Sequence, residues 1–365
     1  MNSNAMNSES NIEMNRGSET ELKGNPFGSH RVIEPVGVLP QPAIRVNNDM
    51  SRLYDNEIMV DVEILNVDSA SFTQIKEQAG GDIEKIKSII LEIVNDSGKL
   101  KNPVTGSGGM FIGTVSRVGS AIEGRRVKVG DRIASLVSLS LTPLRIDGII
   151  EVKKDIDQVV IKGQAILFES GIFAKLPEDI PGPLALAVLD VCGAPAQTAR
   201  LVKSGNIVAI IGAGGKSGML CAYEARRRAG VNGMVIGIDY ADANLNNLRE
   251  LGFCDHVIKL DATNALDCYE KINLITEGRL CDVVINNVNI PNTEMATILM
   301  CRDQGDAYFF SMATSFTKAA LGAEGVGRDI NMIMGNGYAR DHDIITLNIL
   351  RECKAVRELY ERIYC

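Results

Sequence analysis

The residues best suited to chemistry lie in Asn206–Gly218, NIVAIIGAGGKSG. An apolar run passes straight into glycines and then into helix-forming residues. That arrangement cradles the pyrophosphate of a dinucleotide. Gly212 permits the tight turn, and Gly214 and Gly215 let the backbone approach the phosphates. The N–H groups and positive end of the following helix then hold the charge. Lys216 stands over the pyrophosphate or in solvent. Gly218 falls one place later than the last glycine of G-x-G-x-x-G, and Ser217 stands in its stead. A serine is small enough to keep helix and strand close. Gly215-Lys216-Ser217 imitates the end of a P-loop, but Ile210 replaces the glycine that motif needs. An ATPase reading therefore fails.

Asp239 ends the run Met234–Asp239 (MVIGID), 21 residues after Gly218. A carboxylate at that spacing accepts hydrogen bonds from both ribose hydroxyls and repels a 2′-phosphate. The expectation is NAD over NADP, with Tyr240 beside the same ribose. The alternative is a solvated strand-end aspartate. Ligands bind outside the carboxyl ends of parallel strands. Asn286 and Asn287, and then Ser311 and Met312, end later strands and are candidates for the nicotinamide ribose and amide. Asn and Ser also cap turns, and for the asparagines the two readings stand level. Gly335-Asn336-Gly337-Tyr338 ends another strand within reach.

These residues need a parallel sheet behind them, and the second half of the chain has its rhythm. Strands are expected at Asn206–Ile211, Met234–Asp239, His256–Leu260, Asp282–Asn286, Ala307–Ser311 and near Ile330–Met334. Helices fill the gaps at Lys216–Ala229, Leu245–Leu251, Ala265–Thr276 and Thr293–Met300, and Pro183–Val202 forms one linking helix. The first half reads as short strands: Glu57–Leu65, Phe111–Val118 and Val127–Val137. Between them, Asp82 caps a helix running to Asn95, and Pro103–Gly109 is a loop. The fold class is α/β, a β-rich domain followed by a Rossmann doubly wound parallel sheet.

The 365 residues suffice for two domains, and 45% hydrophobic with 23% charged residues is an ordinary globular balance. A net charge of −8 argues against nucleic acid and anionic membranes as partners. No apolar run is long enough to span a bilayer. The first 25 residues lack the apolar core of a signal peptide and read as a disordered leader, so the expected location is the cytoplasm. All eight cysteines lie between Cys192 and Cys365, none in a C-x-x-C pair, which points to free buried thiols rather than to zinc or disulfides.

Gly119–Asp131 (GSAIEGRRVKVGD), then Ala174–Pro177 (AKLP), then the glycine turn follow one another in a telling order. In that order the chain resembles the medium-chain dehydrogenase/reductase superfamily. The resemblance implies a GroES-like catalytic domain over 26–182, a Rossmann domain over 183–337 and a last segment, 338–365, returning to the catalytic domain. It also implies a cleft between domains and a homodimer. A zinc-ligating cysteine is missing after the early strand, where Asn66–Gln74 (NVDSASFTQ) stands, and no metal is expected. Gly28–Gln41, Pro103–Val115, Leu189–Gly218 and Gly335–Leu350 are similar to zinc-free members that act on a diamino acid in lysine fermentation. That similarity implies NAD-dependent oxidation of a C3 amine, then hydrolysis to ammonia.

Such chemistry needs a neutral amine, so a base must first take a proton, and water must then attack the iminium. Asp68, on the loop that faces the cofactor in this superfamily, is the first candidate for base or ammonium anchor. Ser69, Ser71 and Gln74 would orient water or substrate beside it. The alternative for Asp68 is a turn aspartate bonded to its own backbone. Glu324, in the glycine-rich AEGVG, is a second acid and Asp190 a third. Arg145 and Lys76 are weak candidates for the substrate carboxylate. His342, between two aspartates, resembles a dyad, but the acids suit a helix N-terminus. His256 reads as structural, and His30 has no legible role. The rivals are a zinc-free enone or quinone reductase and a non-catalytic NAD-binding protein.

Overall fold

The computed structural model describes residues 22–122, 127–311, 313–335 and 337–365. The chain divides into two compact units, Met1–Lys175 and Leu176–Cys365. The expected leader lies outside the described residues up to position 21.

In the first unit, β1 (Val32–Glu34) pairs antiparallel with β2 (Arg45–Val46). Then come β3 (Glu57–Val67), α1 (Ser69–Gln78), α2 (Ile83–Ser97), β4 (Gly109–Val118), β5 (Arg132–Ser135), β6 (Leu144–Lys153), β7 (Gln158–Phe168) and β8 (Phe173–Lys175). The last six strands form an antiparallel sheet in the order β6-β7-β3-β4-β5-β8. The central strand β3 buries Ile58, Val60, Val62 and Leu65, and an irregularity between Val62 and Ile64 shifts its alternation. Helix α2 starts where Asp82 accepts from the Lys85 N–H at 3.1 Å and stops at Gly98, whose φ is 76°. It lays Ile86, Ile90 and Val94, four residues apart, onto the sheet's core.

Two expectations change here. The strand expected over Val127–Val137 shrinks to β5, because Asp131 accepts from the Lys128 N–H and closes a turn ahead of it. Asn66–Gln74 is largely a helix and not a loop. Phe72, Ile75 and Ala79 recur at helical spacing and are buried, which outweighs the weak helix propensity of the polar run.

His30 gains a role. Its Nε2 lies 2.8 Å from Glu57 Oε1, and the Asn25 N–H donates to its Nδ1. Arg31 donates to both Glu57 oxygens at 2.8 and 2.7 Å and to the carbonyls of Asp49 and Arg52. Both partners of this pair are buried. They tie the N-terminal segment to the sheet.

In the second unit, the strands are β9 (Ile207–Ile211), β10 (Met234–Asp239), β11 (His256–Lys259), β12 (Cys281–Asn286), β13 (Cys301–Phe309) and β14 (Asn331–Met334). They are all parallel, in the order β11-β10-β9-β12-β13-β14. Numbered within the unit this is 3-2-1-4-5-6, the doubly wound order with its switch point between β9 and β12. Every residue of β9 is buried, as a central strand covered on both faces requires.

The helices are α3 (Gly182–Leu189), α4 (Gly193–Leu201), α5 (Lys216–Ala229), α6 (Asp242–Leu251), α7 (Ala265–Ile275), α8 (Glu294–Met300), α9 (Phe316–Gly325), α10 (His342–Glu352) and α11 (Lys354–Tyr364). The single helix expected over Pro183–Val202 is two. Pro195 has no N–H to continue a helix from Val191, so α4 starts afresh. The segment expected to return to the first domain packs as α10 against α3, α4 and α5, and as α11 against α3 and α6. The apolar surface of α3 offers it a face within its own unit.

Candidate functional site

The glycine turn opens directly from the carboxyl end of β9, and three of its glycines answer to the protein itself. Gly212 has a φ of 73°, and a Cβ there would meet Val288 at 2.6 Å. A Cβ on Gly214 would stand 2.3 Å from the Asn244 carbonyl oxygen, and one on Gly218 would stand 2.1 Å from that of Gly212. Gly218 thus does the close-packing work expected of the third glycine, one place late.

Gly215 is different. Its backbone is extended, with φ −78°, and a Cβ would come no closer than 3.4 Å to any neighbour. Nothing among the described residues requires a glycine there. The space it leaves lies at the N-terminus of α5, where the first N–H groups have no helical acceptor. A phosphate fits that space and that charge. Gly215→Val should therefore keep the melting temperature within about 2 °C of the parent while weakening dinucleotide binding about tenfold or more. Gly218→Val should instead lower the melting temperature by several degrees, roughly, through overpacking. Thermal scans and NAD titrations on the pair check both.

Asp239 ends β10 and is 7% exposed. Its Oδ2 accepts from the Gly214 N–H at 3.0 Å, which buckles the strand end to the glycine turn. Its Oδ1 accepts from the Tyr240 and Ala241 N–H groups and from Asn244 Nδ2. Oδ2, with one donor, keeps an acceptor position for a hydroxyl. Tyr240 beside it is exposed, with the Lys259 ammonium over its ring. Lys216 does not stand alone over the turn. Its Nζ is 2.6 Å from Asp190 Oδ2, and its carbonyl accepts from the Tyr360 hydroxyl.

The two asparagines after β12 part company. Asn286 is fully buried. Its Nδ2 donates to Thr293 and Thr297 at 2.8 and 2.9 Å, and its Oδ1 accepts from the Val288 N–H. Its expected cofactor role gives way to a structural one, because a fixed interior amide needs its bonds made. Asn287 lies across the switch point, its N–H donating to the Ile211 carbonyl. Both polar atoms of its side chain are buried, with no hydrogen-bond partner of normal geometry among the described residues. The Cys221 thiol interacts with this amide, while burial pushes that thiol up to about 12. Ser311, after β13, accepts from the Ala313 N–H, and Met312 lies outside the described residues.

The catalytic candidates divide likewise. Asp68 occupies the N-cap position of α1 but makes no capping bond, and it is exposed, as is Ser69. Ser71 is 1% exposed, its hydroxyl shared with Thr105 at 2.6 Å and Ser107 at 2.7 Å. It pins the Pro103–Gly109 loop to α1, which leaves it no access to substrate water. Gln74 joins the same knot through Asn102. Glu324 is exposed in the last turn of α9 and not on a loop. Arg145 is paired with Asp147, and Lys76 with Asp157.

His342 is the residue whose burial the sequence did not reveal. It is 3% exposed, and among the described residues neither ring nitrogen has a hydrogen-bond partner. The flanking aspartates masked it in the sequence, because they read as helix-terminal charges.

A family profile described as the L-erythro-3,5-diaminohexanoate dehydrogenase N-terminal domain matches residues 30–177. The chain is 58% identical over 344 residues to the L-erythro-3,5-diaminohexanoate dehydrogenase of Acetoanaerobium sticklandii, covering 94% of this chain and 100% of that one. It is 58% identical over 343 residues to the protein of the same name from Fusobacterium nucleatum, covering 94% and 99%. A solved mycobacterial structure complexed with NADPH has the same fold, with a TM-score of 0.51, 15% identity and coverage of 84% and 81%.

Proposed function

The chain belongs to the family of L-erythro-3,5-diaminohexanoate dehydrogenases, and from that premise we propose that it oxidises the C3 amine of this diamino acid with NAD. The products are 5-amino-3-oxohexanoate and ammonia, as in the anaerobic breakdown of lysine. The observation that carries the cofactor half is the unforced gap at Gly215, above the N-terminus of α5.

The N–H groups opening α5 hold the pyrophosphate, and Lys216 stands at the same helix end with Asp190 as its counter-charge. Asp239 takes a ribose hydroxyl on Oδ2, and its charge disfavours a 2′-phosphate, which supports NAD over NADP. Bound nicotinamide supplies the hydride acceptor. Asp68 accepts the proton that the substrate ammonium must lose before hydride can leave its carbon, a role its exposed carboxylate permits. Water then adds to the iminium carbon, and ammonia departs. Homodimerisation through the free edge of β14, and a cytoplasmic location in keeping with eight unpaired cysteines, complete the reading.

The test is NADH formation at 340 nm with NAD and a panel holding 3,5-diaminohexanoate, lysine and a β-amino acid, with ammonia assayed in parallel. Turnover of the diamino acid alone, with one ammonia per NADH, is expected. Asp68→Asn should lower kcat by about 10²-fold or more if Asp68 is the base. Folded, NAD-binding protein that releases no ammonia but reduces enones with NADH would overturn the proposal.

A further inference from the structure

Asp190 ends α3, and its N–H donates to the Leu186 carbonyl in the last turn of that helix. A carboxylate at a helix C-terminus meets the negative end of the dipole. Lys216 is the first residue of α5, where an ammonium meets the positive end. Each charge thus stands at the end of its helix that disfavours it. The two residues meet, with Lys216 Nζ 2.6 Å from Asp190 Oδ2. Among the described residues, neither the ammonium nor the carboxylate makes another hydrogen bond.

The rest of Lys216 is held by α11. The buried Tyr360 donates its hydroxyl to the Lys216 carbonyl, and the Tyr364 ring, one turn on, lies 5.9 Å from the ammonium. Arg362 donates to both Glu250 oxygens on α6, which braces α11 against the helix that follows Asp239. The Lys216 backbone is therefore fixed, while its ammonium still reaches water. The two charged side chains are 33% and 39% exposed. An ion pair so exposed is weak and yields readily to a stronger anion.

As a stability device the pair achieves little. Two neutral residues would spare both helices their misplaced charges. The end of α5 favours an anion, and the space above Gly215 admits one. A pyrophosphate there would share the ammonium with Asp190 and would meet the Asp190 carboxylate as a like charge. On the dinucleotide reading above, on which this rests, we propose that Asp190 is a positioning residue that lowers dinucleotide affinity by holding Lys216 in competition with the pyrophosphate. The site then releases its cofactor more readily than the same turn would with a free lysine.

The test is calorimetric titration of the full chain with ADP-ribose, which carries the pyrophosphate but has no nicotinamide to react. Asp190→Asn keeps the shape and removes the charge. It should tighten ADP-ribose about three- to tenfold, and the gain should shrink at high ionic strength. Damage to the fold would loosen the ligand, so a purely structural Asp190 does not give this result. In a Lys216→Met background the same change should gain less, since only direct repulsion between carboxylate and phosphate is then relieved. Asp190→Glu, which keeps the charge, should stay near the parent affinity. Asp190→Ser also removes the charge and serves if the asparagine variant misfolds. No tightening in a folded variant, or equal tightening with and without Lys216, overturns the proposal. Failure of the parent to bind ADP-ribose would instead refute the dinucleotide reading itself.

Discussion

Asp239→Asn should cut kcat/KM with NAD by about 10²-fold, since a hydrogen bond to a charged group is worth ~1.5–3 kcal/mol and every 1.4 kcal/mol is tenfold. The change removes a charge and, with one amide rotamer, sets an NH₂ against the Gly214 N–H that Oδ2 now accepts. With the other rotamer, the NH₂ faces the three donors on Oδ1. In the first case the buckle between β10 and the glycine turn opens, in the second the donors on Oδ1 are repelled, and in both the acceptor that the proposed reading offers the ribose is lost or loses its charge. Loss of the charge should also remove the repulsion toward a 2′-phosphate, so the preference for NAD over NADP proposed above should narrow. Steady-state kinetics with both cofactors measure this. An unchanged cofactor ratio alongside a lower melting temperature would reduce Asp239 to a structural buckle.

The second large effect belongs to the buried pair Arg31–Glu57. Removing one partner of a buried ion pair costs about 3–5 kcal/mol, a large share of the ~5–15 kcal/mol that holds an ordinary domain folded. Arg31→Met should therefore shift the urea midpoint of the first unit strongly downward, leaving the buried Glu57 carboxylate without its counter-charge and the Asp49 and Arg52 carbonyls without the Arg31 donor. Adding Glu57→Leu should recover only part, because those carbonyls stay unpaired. The pair also sets an acid limit. Burial pushes the Glu57 carboxyl up, but hydrogen bonds from His30 and Arg31, the Arg31 charge and the Tyr54 N–H outweigh it and hold it below the usual carboxylate range. A carboxyl lowered on folding lends stability above its unfolded pKa, and that stability drains as pH falls through the folded value. Unfolding midpoints measured below pH 4.5 should fall more steeply in the parent than in the double variant.

The sequence was legible where one physical rule acted alone. β10 and α5 begin and end where apolar runs, glycines and the helix period placed them, and Asp82 capped α2 as its type suggests. The fold class followed from the alternation of strands and helices in one half only. Rules competed elsewhere. α1 was hidden because its serines favour turns, while Phe72 and Ile75 favour burial. The break before α4 hung on a single proline. β6 and β7 were missed altogether, because glycines and charges interrupt them and long-range pairing with β3 and with each other sets them. At the site, the glycines could be read because backbone conformation is local. The division between Asn286 and Asn287 could not, because it depends on Thr293 and Thr297 arriving from a helix further along the chain.

The cysteines have one more consequence. All eight belong to the second unit, and Cys192, Cys221, Cys268, Cys281 and Cys301 are buried. Burial raises the pKa of each, so the reactive thiolate is scarce as well as hidden. An alkylating reagent can reach these sulfurs only during moments when the surrounding structure breathes open. The protein thus carries a built-in clock of transient opening. It ticks for the nucleotide half and stays silent for the half that holds Arg31 and Glu57, so the two halves can be timed apart without attaching any probe.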